Sequence, residues 1–122
     1  RPRAELHHGH LHPALPDDPG HAIWKRDFLG SSGLFSVILK PASRKAVAAM
    51  LDGFDLFGLG YSWGGFESLV VPVDPAPFRS CSPWPPRGMD PADRFGVRLS
   101  IGLEDPADLI ADLDQALAAA DR

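Results

Sequence analysis

The 122-residue chain contains no asparagine, so it carries no acceptor for N-linked glycosylation. Cysteine is nearly absent: Cys81 stands alone, which excludes a disulfide within the chain and favours a reducing compartment. No apolar run approaches the ~20 residues of a membrane-spanning helix, and no charged-then-apolar leader opens the sequence, so a cytoplasmic protein with no membrane partner is expected. Basic runs are missing as well. The formal net charge is -4 with Arg and Lys scattered, which leaves no stripe to neutralise a phosphate backbone and argues against a nucleic-acid partner. An initiator methionine is also lacking: the chain starts at Arg1 in a stretch that reads as the middle of a protein, and it is expected to be a fragment.

What is present suits one folded unit over residues 1–122. Hydrophobic residues make up 44%, enough for a core. With 13 prolines and 12 glycines, regular elements should be short and loops many, as in a loop-rich α/β domain. Residues 1–30 form an extended entry segment, mostly extended or irregular from Arg1 to Asp27, because no period of 2 or 3.6 persists there. Leu34 to Lys40 reads as a buried strand. Ser43 is placed to cap a helix with a Val47, Met50, Leu51 stripe and with Gly53 as a left-handed stop. Leu56 to Tyr61 and Ser68 to Val73 read as two strands joined by a Gly-Gly turn, which favours antiparallel pairing. Residues 75–94 hold six prolines and form a long loop. From Phe95 to Ile101 the pattern alternates: Phe95, Val97, Leu99 and Ile101 share one face, while Gly96, Arg98, Ser100 and Gly102 share the other. Asp105 and Pro106 then begin a last helix to about Ala120, with Leu109, Ile110, Leu113 and Leu117 inward and Asp112 and Asp114 toward solvent.

Two places could carry chemistry. Arg98 has only small neighbours on its strand face, which leaves a hollow where its guanidinium could take a carboxylate through two parallel hydrogen bonds. The plain alternative is an arginine on the solvated face of an antiparallel sheet. The second place is the turn Tyr61-Ser62-Trp63-Gly64-Gly65-Phe66. Its glycines let backbone N–H groups approach a ligand, and Tyr61, Ser62 and Trp63 add hydroxyls and a flat wall. The alternative is a tight hairpin whose aromatics cap the core. The tract His7, His8, His10, His12 has no Cys or carboxylate at a recognised ligand spacing, so no metal site is expected from it. Cys81 has no basic sequence neighbour and reads as a passive thiol.

Five motifs, in order and in register, tie these pieces together: Leu11 to Pro16 (LHPALP), Trp24 to Phe28 (WKRDF), Gly30 to Ser36 (GSSGLFS), Tyr61 to Ser68 (YSWGGFES) and Arg98 to Asp105 (RLSIGLED). Over nearly its whole length the chain resembles the Cys/Met metabolism family of pyridoxal-phosphate enzymes, in its cystathionine beta-lyase branch. The resemblance implies the small C-terminal α/β domain of a fold-type I enzyme, a mostly antiparallel sheet with helices packed on one face. It implies a cofactor, pyridoxal 5'-phosphate, held mainly by a large domain of the same chain, and a homotetramer. The implied reaction is β-elimination of L-cystathionine to homocysteine, pyruvate and ammonia, a carbon-sulfur lyase step of transsulfuration and methionine biosynthesis. Arg98 would bind the α-carboxylate of this small amino-acid substrate, helped by Ser62, with Trp63 and Tyr61 lining the cleft. Trp63 favours a beta-lyase, since the gamma-acting relatives, cystathionine gamma-lyase and gamma-synthase, more often have a smaller aliphatic residue there. Ser100 departs from the histidine common at its position. Lys25, Lys40 and Lys45 are the only lysines and none lies in the family's cofactor context, so no catalytic residue is expected here and the fragment alone should be inactive. A non-catalytic, partner-binding remnant is the alternative from another class.

Overall fold

The computed structural model describes residues 10–40, 42–61, 63–84 and 96–120. Among these residues the elements are β1 (His10–Leu11), α1 (His21–Asp27), β2 (Leu34–Ile38), α2 (Arg44–Asp52), β3 (Gly58–Leu59), β4 (Leu69–Val73), β5 (Gly96–Ser100) and α3 (Pro106–Ala120), with a 3-10 turn at Ala76–Phe78. The strands form one sheet in the order β1-β2-β5-β4-β3.

The alternating stretch becomes the centre of this sheet. β5 pairs antiparallel with β2 on one side and β4 on the other, so Arg98 lies opposite Ser36 and Val71. Val97 and Leu99 point to the opposite face and join Val37, Val70, Met50 of α2 and Leu109 and Ala116 of α3 in the core. Helices α2 and α3 therefore cover one face of a mostly antiparallel sheet, the expected fold class. Beyond Ser100 the alternation stops: Ile101, expected inside, is 36% exposed, and its N–H bonds Gly33 O at 2.9 Å.

Both long helices start as the sequence indicates. Ser43 accepts the N–H of Ala46 at 3.1 Å, and Asp105 accepts that of Ala107 at 2.8 Å, each satisfying a donor that the first helical turn leaves open. Gly53 ends α2 with φ -86° and ψ -8°, in the right-handed region, not the left-handed stop expected. Its value is space: a Cβ there would come within 3.3 Å of Ala119 Cβ, where α2 and α3 cross.

Three further expectations are corrected. The lead-in through Asp27 is not wholly irregular, since β1 and α1 lie in it; α1 buries none of its residues, so it needs no apolar stripe and shows none. In α3, Asp112 is buried (5% exposed) while Ile110 is 62% exposed, because the inward line runs through Leu109, Asp112 and Ala116. Finally, β3 and β4 pair in parallel, not as a hairpin. A type I′ hairpin turn needs positive φ at both central positions, and of Gly64 and Gly65 only Gly64 has it, at +34°. The β3 ladder is also short. Extending it would bring Tyr61 opposite Pro72, which has no N–H to give. Phe95 and residues 85–94 of the proline-rich loop lie outside the described residues.

Candidate functional site

The loop after β3 reaches the strand that carries Arg98, through Gly64 beside Ser100. Arg98, half-buried, sits mid-strand on the face away from the helices. The small residues beside it are used by the protein itself: Ile38 Cδ1 would be 3.3 Å from a Cβ on Gly96, and Ser100 Oγ is 3.3 Å from where Gly64 would carry one. The hollow expected from composition is thus narrowed at both ends, with Arg98 between. Gly64 brings the loop after β3 onto the Ser100 end of the Arg98 face.

In that loop Tyr61 is 84% exposed, Trp63 73% and Phe66 71%, so these aromatics do not cap the core. Ser62 lies outside the described residues. Of the two glycines, Gly64 is taken up by packing, at positive φ and with Glu67 O 2.9 Å from its Cβ position, whereas Gly65 has open space there.

A polar knot, missed by sequence reasoning, fastens the loop. Ser68, fully buried, donates its N–H to Glu104 Oε1 at 2.8 Å and its hydroxyl to Glu104 Oε2 at 2.7 Å. Its Oγ accepts the N–H of Gly102 at 2.8 Å, and Leu103 N–H bonds Phe66 O at 2.9 Å. The Ser68 backbone N–H, then the Ser68 hydroxyl and the N–H of Glu104 itself, hold the Glu104 carboxyl below the usual pKa range. The only signal in the sequence was that Ser68 and Glu104 fall inside the quoted motifs. Gly102 has no room for a side chain, because a Cβ would run into Phe66 O and the backbone of Glu67. Gly102→Ala should lower unfolding free energy by about 1–3 kcal/mol through overpacking. Urea denaturation followed by circular dichroism measures it, and an unchanged midpoint would contradict the tight fit.

Elsewhere, His12 Nδ1 accepts the N–H of Ala14 at 3.2 Å, while His7 and His8 lie outside the described residues. No group of three potential metal ligands occurs among the described residues. Cys81 is exposed. No helix among the described residues is long and apolar enough to cross a membrane.

Lys25 and Lys45 are exposed on α1 and α2, and Lys40 lines a largely apolar cavity of about 570 Å³ with Arg44, Val47, Leu51 and Gly96. That cavity lies at the Gly96 end of β5, the opposite end from the Tyr61–Phe66 loop.

A model of the Cys/Met metabolism PLP-dependent enzyme family matches residues 8–118. The chain is 52% identical over 106 residues to cystathionine beta-lyase of Bordetella avium, covering 87% of this chain and 25% of that protein. It is 49% identical over 108 residues to cystathionine beta-lyase of Escherichia coli (strain K12), covering 88% and 27%. The crystal structure of cystathionine gamma synthase from Xanthomonas oryzae pv. oryzae in complex with cystathionine aligns with a TM-score of 0.72 at 32% identity, covering 95% of this chain and 30% of that one. The chain thus spans about a quarter of the length of the curated relatives it matches.

Proposed function

Since this chain belongs to the Cys/Met metabolism family of PLP-dependent enzymes, we propose that it is the part of a carbon-sulfur lyase that recognises the α-carboxylate of a sulfur-containing amino acid. The observation that carries the reading is the arrangement along the central strand: half-buried Arg98 on the face away from the helices, and a loop with exposed Tyr61 and Trp63 fastened beside Ser100, two residues further on. In this reading Arg98 takes the carboxylate as a two-toothed fork, Ser62 and the Gly65 backbone add donors, and Trp63 and Tyr61 wall the cleft.

Pyridoxal phosphate, when bound, supplies an electron sink for the carbanion at the substrate Cα. This chain offers no lysine to hold it, so the cofactor lysine belongs to another part of the full-length protein, which would assemble as a homotetramer. The work assigned here is orientation. A carboxylate fixed in position and plane fixes which bond at Cα stands ready to break, and such positioning contributes several kcal/mol to catalysis.

Whether elimination is β or γ divides the support. The curated relatives at 49% and 52% identity are named beta-lyases, and Trp63 favours the same reaction. The structural neighbours favour the gamma-acting reading: beside the gamma synthase stands a methionine gamma lyase from Micromonospora echinospora, TM-score 0.65 at 33% identity. The full-length protein given cystathionine decides between them. Pyruvate with homocysteine is the β outcome and 2-oxobutyrate the γ outcome. Neither product from a protein loaded with cofactor would leave a gamma-synthase, for which cystathionine is the product, or the non-catalytic, partner-binding reading. The 122-residue chain alone should form no product and no borohydride-reducible adduct at a lysine.

A further inference from the structure

We propose that Glu104 and Ser68 are positioning residues for substrate binding: they lock the loop carrying Tyr61 and Trp63 to the strand carrying Arg98, so that the two sides of the carboxylate site keep one spacing. The inference rests on the reading of Arg98 as the carboxylate-binding residue. Ser68 ends the loop immediately before β4, and Glu104 lies four residues past the end of β5. The two are 36 residues apart in sequence.

Each polar group at the joint is used. Both Glu104 oxygens face Ser68, one taking its N–H and the other its hydroxyl, so the carboxylate fixes distance and plane together, as a single contact could not. The serine oxygen passes the constraint on to the Gly102 N–H. Leu103 N–H to Phe66 O then fixes the loop's outer turn. Gly64, packed against Ser100 Oγ and Leu69, brings the same loop down on the Arg98 face.

Neither residue belongs to the apolar core, which gathers on the other side of the sheet around Val97, Leu99 and the two helices. The surface that the lock holds in place is one that the described chain does not cover: Tyr61, Trp63, Phe66 and Leu103 are each more than two-thirds exposed, Leu103 at 84%. Closing a surface loop needs no buried carboxylate-serine pair, since turn hydrogen bonds suffice. Holding exposed side chains at a set distance from an arginine two residues along the strand from Ser100 does need one, because sub-ångström displacement at such a site weakens binding and orientation.

The test uses the full-length enzyme loaded with cofactor, and steady-state kinetics on cystathionine. Glu104→Ala should raise KM roughly tenfold or more while kcat falls less than about threefold, with Glu104→Gln, which keeps an acceptor for the Ser68 N–H, recovering most of the loss. A residue that only stabilised the fold would lower the melting temperature and the active fraction, and leave KM alone. Hydrogen exchange at the amides of Ser68, Gly102 and Leu103 should accelerate in Glu104→Ala, with amides of the β2–β5 ladder unchanged. In an Arg98→Ala background the Glu104→Ala change should shift KM by less than about twofold, since both act through one interaction. Should Glu104→Ala fail to fold, Ser68→Ala, which deletes one oxygen, carries the same test with a rise of roughly threefold or more. If Arg98→Ala raises KM and neither lock variant does, the lock is wrong and the carboxylate reading stands. If Arg98→Ala itself is silent, both fall.

Discussion

Arg98→Ala in the full-length enzyme is expected to lower kcat/KM on cystathionine by roughly 30-fold to several thousand-fold. Truncating one side of a hydrogen-bonded charge pair costs about 2–5 kcal/mol, and each ~1.4 kcal/mol is a factor of ten. The half-buried setting of Arg98, between Ser36 and Val71 on neighbouring strands, supports a value inside that range and not above it. Arg98→Lys should recover only part of the activity, because an ammonium on a flexible stem cannot present the planar fork. Cofactor absorbance should persist in both variants, since the arginine is assigned to substrate and not to the cofactor. Full activity in Arg98→Lys, or an Arg98→Ala protein that keeps its fold but loses its cofactor, would show the residue to be misassigned.

Why Arg98 was legible and its surroundings were not is a matter of range. Alternation along Gly96 to Ser100 is a property of one strand, and it alone places Val97 and Leu99 in the core and Arg98 on the other face. The caps of α2 and α3 are equally local, each resting on a side chain two or three residues from its donor. The direction of β3 is not local. It depends on Ser68 being tied to a carboxylate 36 residues away, so the chain must travel out to that anchor before β4 begins. The size of the hollow over Arg98 was not legible for a similar reason: small residues in a strand permit either a ligand or a close neighbour, and here Ile38 and Gly64 narrow it at its two ends. Helix α1 has no inward stripe to betray it, as none of its residues is buried. In α3, a periodicity count treats every aspartate as outward. Asp112 breaks that rule because the partners waiting for it are backbone N–H groups, which a count of apolar residues cannot see.

Asp112→Ala is accordingly expected to be the most damaging single change to stability. One carboxylate oxygen accepts the N–H of Asp55 at 2.8 Å, and the other those of Leu56 at 2.8 Å and Phe57 at 3.1 Å. Gln115 Nε2 adds a fourth bond at 2.8 Å and also donates to Gly53 O. The side chain of α3 thereby holds the turn that carries the chain from α2 to β3, and with it the start of the loop bearing Tyr61. Alanine would leave three backbone donors of that turn without an acceptor, at a cost of about 3–5 kcal/mol, a large share of the roughly 5–15 kcal/mol typical of a domain. Burial acts to raise the Asp112 pKa, but the bonds from Asp55, Gln115, Leu56 and Phe57 together outweigh it and hold the pKa below the ordinary 3.8. A carboxyl whose pKa is depressed on folding stabilises the folded state above its unfolded pKa, and that contribution is lost as pH falls through the folded value. Wild-type stability should therefore decline as pH drops from about 5 toward 2. Asp112→Asn, which keeps one acceptor but cannot titrate, should lose less than alanine at pH 7 and show a shallower acid slope. Urea midpoints measured across that range decide the matter: an alanine variant within about 1 kcal/mol of wild type, or an asparagine variant with an undiminished acid slope, would mean that this carboxylate does not hold the turn.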